Sequence, residues 1–237
     1  MSSVTPIRPK VLFKRCEQQL SIDARRYVTN IPSSEIGGLT LLEGAILVSL
    51  AKLIDATRLF EFGTFMGATT SLLAMNTADN TKIVTLDLPR ELEADFDYDL
   101  GLVLSDGVHN DKYLSKKFIA DGAVYLQGLD EKDSSKVIQL FQNSLTMDID
   151  VLGLVNKFEF IFIDGGHDYD TVKMDTYNAI RMKSDNSVLV WHDYKSTIHG
   201  DVTTFVDEIS KDYKIYHVEN TMIAFTLFGS AQQILEA

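Results

Sequence analysis

Along most of the chain, short runs rich in β-branched and aromatic residues alternate with longer stretches of helical periodicity. The first firm helix signal is Thr40-Leu-Leu-Glu43, a capping box in which Thr40 and Glu43 satisfy each other's backbone amides. Leu42, Ile46, Leu50 and Leu53 then recur at helical spacing, which predicts a helix to about Asp55. Strands are predicted at 59–62, at 83–86 ending on Asp87, at 124–126, at 158–163 ending on Asp164, and at 188–191 ending on His192-Asp193. Helices are predicted at 68–75, 134–145, 169–182 and 202–210, and a closing hairpin at 214–218 and 222–228 around Glu219-Asn220. Strand–helix alternation implies an α/β fold: a mostly parallel sheet with helices on both faces, ended by an antiparallel hairpin. No Gly/Ser/Pro-rich linker divides the chain. Residues 1–40 therefore read as an accessory N-terminal segment and 41–237 as one domain, with a lid or substrate insertion at about 89–123 where periodicity is weak.

Composition narrows the function classes. Of 237 residues, 45% are hydrophobic and 24% charged, ordinary values for a globular chain. Lysine and arginine total 22 against 34 acids, giving a net charge of -12 without basic clusters, so neither nucleic acid nor an anionic membrane surface is an expected partner. The single cysteine, Cys16, excludes an intramolecular disulfide framework. No apolar run is long enough to span a bilayer and the first residues lack a signal-peptide core, so a cytoplasmic location is expected.

In a parallel sheet, ligands bind beyond the carboxyl ends of the strands, which here carry Glu61 to Thr70, Asp87, Asp164 to His167 and His192-Asp193. In Glu61-Phe-Gly-Thr-Phe-Met-Gly-Ala-Thr69, Gly63 lets backbone approach a ligand and Gly67 opens a helix whose amides favour an anionic group. The dinucleotide fingerprint Gly-x-Gly-x-x-Gly is not met, because Phe65 occupies the place of its second glycine. Asp87, twenty residues after Gly67, can accept both hydroxyls of a ribose. The pair fits a ligand with a ribose and a carboxylate but no pyrophosphate, and S-adenosylmethionine (SAM) is one such ligand. The simpler account is a tight βα turn, with Asp87 only a strand-end residue before Pro89.

These residues resemble the first motif of class I SAM-dependent methyltransferases, in particular small-molecule O-methyltransferases with an aromatic at the Phe65 position. The resemblance extends to Ile163-Asp-Gly-Gly-His-Asp-Tyr169, Asp175 and Trp191-His-Asp-Tyr194, similar to the Asp-Gly-x-His-x-Tyr and His-Asp signatures of a bacterial branch that modifies sugars and secondary metabolites. It spans about residues 40 to 228. The resemblance implies a Rossmann-like methyltransferase sheet. In it, Gly63, Thr64, Phe65, Gly67 and Thr69 line the methionine end of SAM and Glu61 holds the amino end. Asp87 and Leu88 sit at the ribose, and Gly128 and Asp164 complete the cofactor set. The expected acceptor is a hydroxyl of a small molecule, and a homo-oligomer is compatible with the sequence.

Methyl transfer needs an aligned nucleophile and a place for its proton. Asp164 and Asp193 end neighbouring strands in this reading, and two converging carboxylates can hold Mg²⁺ or another divalent cation. Catechol-type methyltransferases carry Asp-x-x-Lys and Asp-Asn there; this chain carries Asp164-x-x-His167 and His192-Asp193. That makes His167 the expected base and Asp164, His192 and Asp193 the expected metal set, with Asp164 and His192 also counted as catalytic. Histidine suits Mg²⁺ less well than oxygen. A structural account of the same residues has Asp168 capping a helix, Asp164 satisfying turn amides and His167 only shaping a turn. His109, His199 and His217 have no motif support, and Tyr169, Trp191 and Tyr194 read as core. Residues 91–100 alternate acid and apolar, which suggests a half-buried extended lid or a solvated loop. Two rival functions are a nucleotide-dependent Rossmann oxidoreductase and a non-catalytic SAM-fold binding protein.

Overall fold

The computed structural model describes residues 3–31, 36–89 and 97–236. Among them, eight strands form one sheet: β1 (Thr5–Ile7), β2 (Arg58–Phe62), β3 (Lys82–Asp87), β4 (Val137–Phe141), β5 (Phe158–Ile163), β6 (Lys183–Trp191), β7 (Ile215–Val218) and β8 (Ala224–Phe228). Their order is β1-β7-β8-β6-β5-β2-β3-β4. Only β8 is antiparallel to its neighbours, so the sheet is parallel apart from the C-terminal hairpin. The helices are α1 (Pro9–Gln19), α2 (Leu41–Leu53), α3 (Ala68–Asn76), α4 (Gly107–Asp121), α5 (Val124–Gln127), α6 (Glu131–Ser134), α7 (Tyr169–Met182), α8 (Gly200–Ile209) and α9 (Gln232–Glu236). None is long and apolar enough to cross a membrane.

The central strands are buried on both sides, which explains their unbroken apolar sequences. In β5, Phe160 and Phe162 face a core shared with α1, α2 and α3, whereas Ile161 and Ile163 face one shared with α7 and α8. In β6, Val188 and Val190 alternate with Leu189 and Trp191 in the same way. Trp191 and Tyr194 are core residues as expected. The capping box at Thr40 and Glu43 is formed and opens α2. At the N-terminal end, β1 pairs in parallel with β7, and α1 buries Leu12 and Cys16 in the first core.

The region after α3 departs from the sequence expectation. Residues 124–126 form the short helix α5 instead of a strand, and the third parallel strand is β4, inside the span expected to be helical. Val137-Ile-Gln-Leu-Phe is a short apolar segment interrupted by Gln139, which fits a strand or a helical turn equally well. Its place beside β3 is reinforced by Lys136, whose buried ammonium donates to the carbonyls of Ala74 and Thr77 and to Asp133. In 89–123, α4 is a regular helix that the sequence did not reveal, capped by Asp106. The alternating acids at 91–96 lie outside the described residues; 97–99 have no regular structure and Leu100 begins a turn.

Candidate active site

The βα loop after β2 has three residues at positive φ, Gly63, Phe65 and Gly67. Gly63 has φ +89°, and a Cβ there would lie 1.9 Å from the Asp164 carbonyl oxygen. Here β2 and β5 approach too closely for any side chain. Gly63→Ala is therefore expected to lose at least about 3 kcal/mol from clash and strain; an unchanged urea midpoint would contradict this. Phe65 also takes a positive φ, 46°, and its amide donates to Asp87 Oδ2 at 2.7 Å. The Leu88 amide donates to Asp87 Oδ1 at 2.8 Å, so two backbone amides fix the carboxylate at the end of β3.

A cavity of about 650 Å³ opens along the strand ends, within the roughly 300–1,000 Å³ range of small-molecule sites. Gly63, Thr64, Phe65, Thr69, Asp87 and Leu88 line one end; Asp164, His167, His192 and Asp193 line the other. Gly67 and Glu61 are behind the wall rather than on it. A Cβ on Gly67 would meet Leu126 of α5 at 2.7 Å, so this glycine serves the packing of the loop. Glu61 Oε2 accepts from Thr70 Oγ1 and, at 2.8 Å, from Thr85 Oγ1. Thr85 Oγ1 in turn lies 2.7 Å from Thr64 Oγ1 on the wall, so Glu61 meets the cavity only through hydroxyls. Burial, opposed by those hydroxyls, pushes Glu61 up to about 8. Gly128 is a correction: it follows α5, not a strand, and does not line the cavity, whereas Gln142 and Asn143 after β4 do.

At the other end, acids and imidazoles alternate. His167 Nδ1 is 2.6 Å from Asp111 Oδ1 of α4, and its Nε2 is 3.2 Å from Asp193 Oδ2. His192 Nδ1 lies 2.9 Å from the same Asp193 oxygen and 3.2 Å from Asp164 Oδ1. Its Nε2 faces Glu43 Oε1 at 3.8 Å. Asp193 reaches inward from a left-handed turn, φ 56°, which aspartate tolerates better than most residues. Burial pulls the His167 ring down, but its hydrogen bonds to Asp111 and Asp193 outweigh it and raise the ring to about 10. His192 moves the same way: burial is outweighed by Asp164 and Asp193. Burial would raise Asp193, yet the two imidazoles hold it below the usual carboxylate range. Glu43 is lowered to about 2, its burial outweighed by His192 and by the amides of Met222 and Thr40.

The residues fit a divalent cation. Asp164 and Asp193 carboxylates converge beside two imidazoles, and ligand atoms of Asp164, His167 and Asp193 lie within 4.8 Å of one another. A mixed oxygen and nitrogen set suits borderline ions such as Fe²⁺ or Zn²⁺ better than Mg²⁺. Three participants were invisible in the sequence. Asp111 lies in the weakly periodic stretch between α3 and β4, His199 stacks on His167 with ring centroids 3.9 Å apart, and Glu43 showed only its capping role.

A methyltransferase domain family matches residues 60–194, more than half of the chain. No curated protein matches in sequence. Among solved structures, the chain is similar to the O-methyltransferase TomG from Streptomyces achromogenes, involved in tomaymycin synthesis and solved with SAM. Identity is 19%, coverage 92% of this chain and 88% of that one, and the TM-score 0.51. Cofactor-bound Rv0187 from MTB gives 18% identity, 92% and 89% coverage and a TM-score of 0.53. The SAH-bound methyltransferase PaMTH1 of Podospora anserina gives 14%, 93% and 88%, and 0.51. At these identities the likeness is one of fold. Family match and sheet agree: the chain belongs to the methyltransferase domain family and has the class I, SAM-dependent methyltransferase fold.

Proposed function

We propose that the protein transfers the methyl group of SAM to a hydroxyl of a small molecule, a sugar or secondary metabolite being the acceptor class that the motifs suggest. The observation that carries this reading is that one cavity joins the Asp87 loop to the Asp164, His167 and Asp193 corner. The first is suited to a ribose and the second to a hydroxyl. Gly63, Thr64, Phe65 and Thr69 line the methionine end, and Glu61 supports it through Thr85 and Thr64.

In the reaction, an acceptor oxygen lone pair attacks the methyl carbon in line with the C–S bond. The bonding electrons pass to sulfur, leaving S-adenosylhomocysteine (SAH), and the O–H proton passes to Nε2 of the neutral His167 ring, a form that the carboxylates holding the ring at about 10 confine to alkaline pH. Asp164, His192 and Asp193 would hold a divalent cation, which when bound lowers the pKa of the hydroxyl and orients it. The insertion supplies Leu104, Leu114 and Phe118 to the cavity wall, an apolar surface for the body of the acceptor.

The test combines calorimetry with SAM and SAH-release assays over a panel of hydroxylated acceptors, each with and without exhaustive EDTA. SAM binding is expected to survive chelation and turnover to be lost. Turnover that survives EDTA removes the cation from the reading, and absence of SAM binding overturns the reading itself.

A further inference from the structure

We propose that β4 is a homodimer interface: its outer edge pairs antiparallel with the β4 of a second copy about a two-fold axis at Gln139, which joins the two sheets into one. This stands apart from the reading of the reaction. The two ends of the sheet differ. β1 is three residues long and carries Pro6, and short length and proline both protect a strand edge from pairing. β4 has five residues in unbroken register with β3 and carries no charge, no proline and no bulge. On it Ile138 is 47% and Phe141 44% exposed. Natural proteins blunt or cover such an edge.

The hydrogen bonding says what fits there. The Ile83 amide donates to the Lys136 carbonyl at 2.8 Å, and the Gln142 amide donates to the Asp87 carbonyl at 2.9 Å. With Ile83 opposite Val137, this turns the amides and carbonyls of Ile138 and Leu140 inward to β3 and those of Val137, Gln139 and Phe141 outward. An antiparallel copy centred on Gln139 sets Gln139 against the partner's Gln139 and Val137 against the partner's Phe141. Every outward donor then meets an outward acceptor. Between these pairs Ile138 comes opposite the partner's Leu140, at the closer spacing of a non-hydrogen-bonded pair. Read from either end, the strand is two apolar residues, a glutamine and two apolar residues. An isologous contact requires that symmetry, and a second copy has it by construction. No charged residue occurs from Val137 to Met147, so no like charges meet at the axis. The loop after β4 widens the apolar margin: it buries Met147 and Ile149 and leaves Leu145 and Val151 exposed.

Sedimentation of the full chain between about 1 and 200 µM is expected to show a monomer–dimer equilibrium. Gln139→Pro removes only an outward N–H and keeps the ladder to β3. Ile138→Lys sets a charge against the partner's Leu140. Each is expected to weaken the dimer at least about tenfold, with the far-ultraviolet circular dichroism of the wild type. Gln139→Cys is expected to give a disulfide-linked dimer under mild oxidation, because hydrogen-bonded opposite residues lie about 5.5 Å apart. Ile138→Cys is not, because each copy's residue 138 is displaced two positions from the other's, beyond the roughly 7 Å that a disulfide spans. The native Cys16 is buried and does not compete. This pair reads the register independently of how the other variants fold. A wild type that stays monomeric over the whole range overturns the proposal. So does a dimer that survives both Gln139→Pro and Ile138→Lys, or one in which Ile138→Cys cross-links as readily as Gln139→Cys.

Discussion

Replacing His167 by alanine is expected to lower turnover by about 10²–10⁴-fold while leaving SAM affinity nearly unchanged. An alcohol is a poor nucleophile until its proton has somewhere to go. Nε2 of His167 faces Asp193 at the end of the cavity away from Asp87, so its removal acts on the acceptor and not on the donor. His192 provides the contrast. Its ring is buried, between Asp164 and Asp193 on one side and Glu43 on the other. His192→Ala leaves buried carboxylates without their counter-charge, which costs about 3–5 kcal/mol. His167 also pairs two carboxylates, Asp111 and Asp193, so both variants are expected to lose stability; loss of kcat in the folded protein with SAM affinity unchanged is the readout that marks His167→Ala. Wild-type turnover in His167→Ala would remove it as the base and leave it shaping the turn after β5.

The sheet was legible because its inner strands are buried on both faces. Residues 158–163 and 188–191 admit little but apolar side chains there, and the polar residue that ends each run marks where burial stops. Asp87, Asp164, His192 and Asp193 could be found for that reason, without knowledge of their partners. The edge was harder to read. β4 is half exposed and interrupted by Gln139, so it lacks the unbroken apolar run that marks a strand buried on both faces. The expectation for Gly128 failed with that strand. Asp111 and His199 were invisible for another reason: each acts across the cavity on a ring that is distant in sequence, from 56 residues away in the case of Asp111. Spacing arguments reach side chains on one element or at the ends of adjacent strands. They do not reach a contact made only when a helix between β3 and β4 folds back over the strand ends. Glu43 shows a third limit. Its local signal as a capping residue was complete in itself, and gave no sign that the same carboxylate also binds the Met222 amide and faces His192.

At pH 8.5, Glu61→Gln is expected to be more stable than the wild type by about 2–5 kcal/mol, whereas at pH 5 the two should unfold at nearly the same urea concentration. The wild-type side chain is 1% exposed, and its carboxylate faces the charges of Asp164 and Asp87 with only threonine hydroxyls to offset burial. Its ordinary value of 4.5 in the unfolded chain rises to about 8 in the folded one. The folded protein therefore binds this proton more tightly. The favourable contribution is complete below about pH 4.5 and is lost progressively up to about pH 8, where the charge must be carried in the core. The interval between the two values sets a ceiling of about 5 kcal/mol. Asp175, raised by burial from 3.8 to about 7, adds a loss of the same sign over a slightly lower range, so wild-type stability should fall steadily from pH 5 to pH 8. Glutamine reproduces the neutral form and still accepts from Thr70 and Thr85, which removes the Glu61 share of that slope and leaves the shares of Asp175, His167 and His192. A wild-type midpoint that is flat from pH 5 to 8.5, or a Glu61→Gln variant no more stable than the wild type at pH 8.5, would show that Glu61 is charged in the folded state. The positive end of a bound SAM would then meet an anion behind Thr64 and Thr85 instead of a neutral acid.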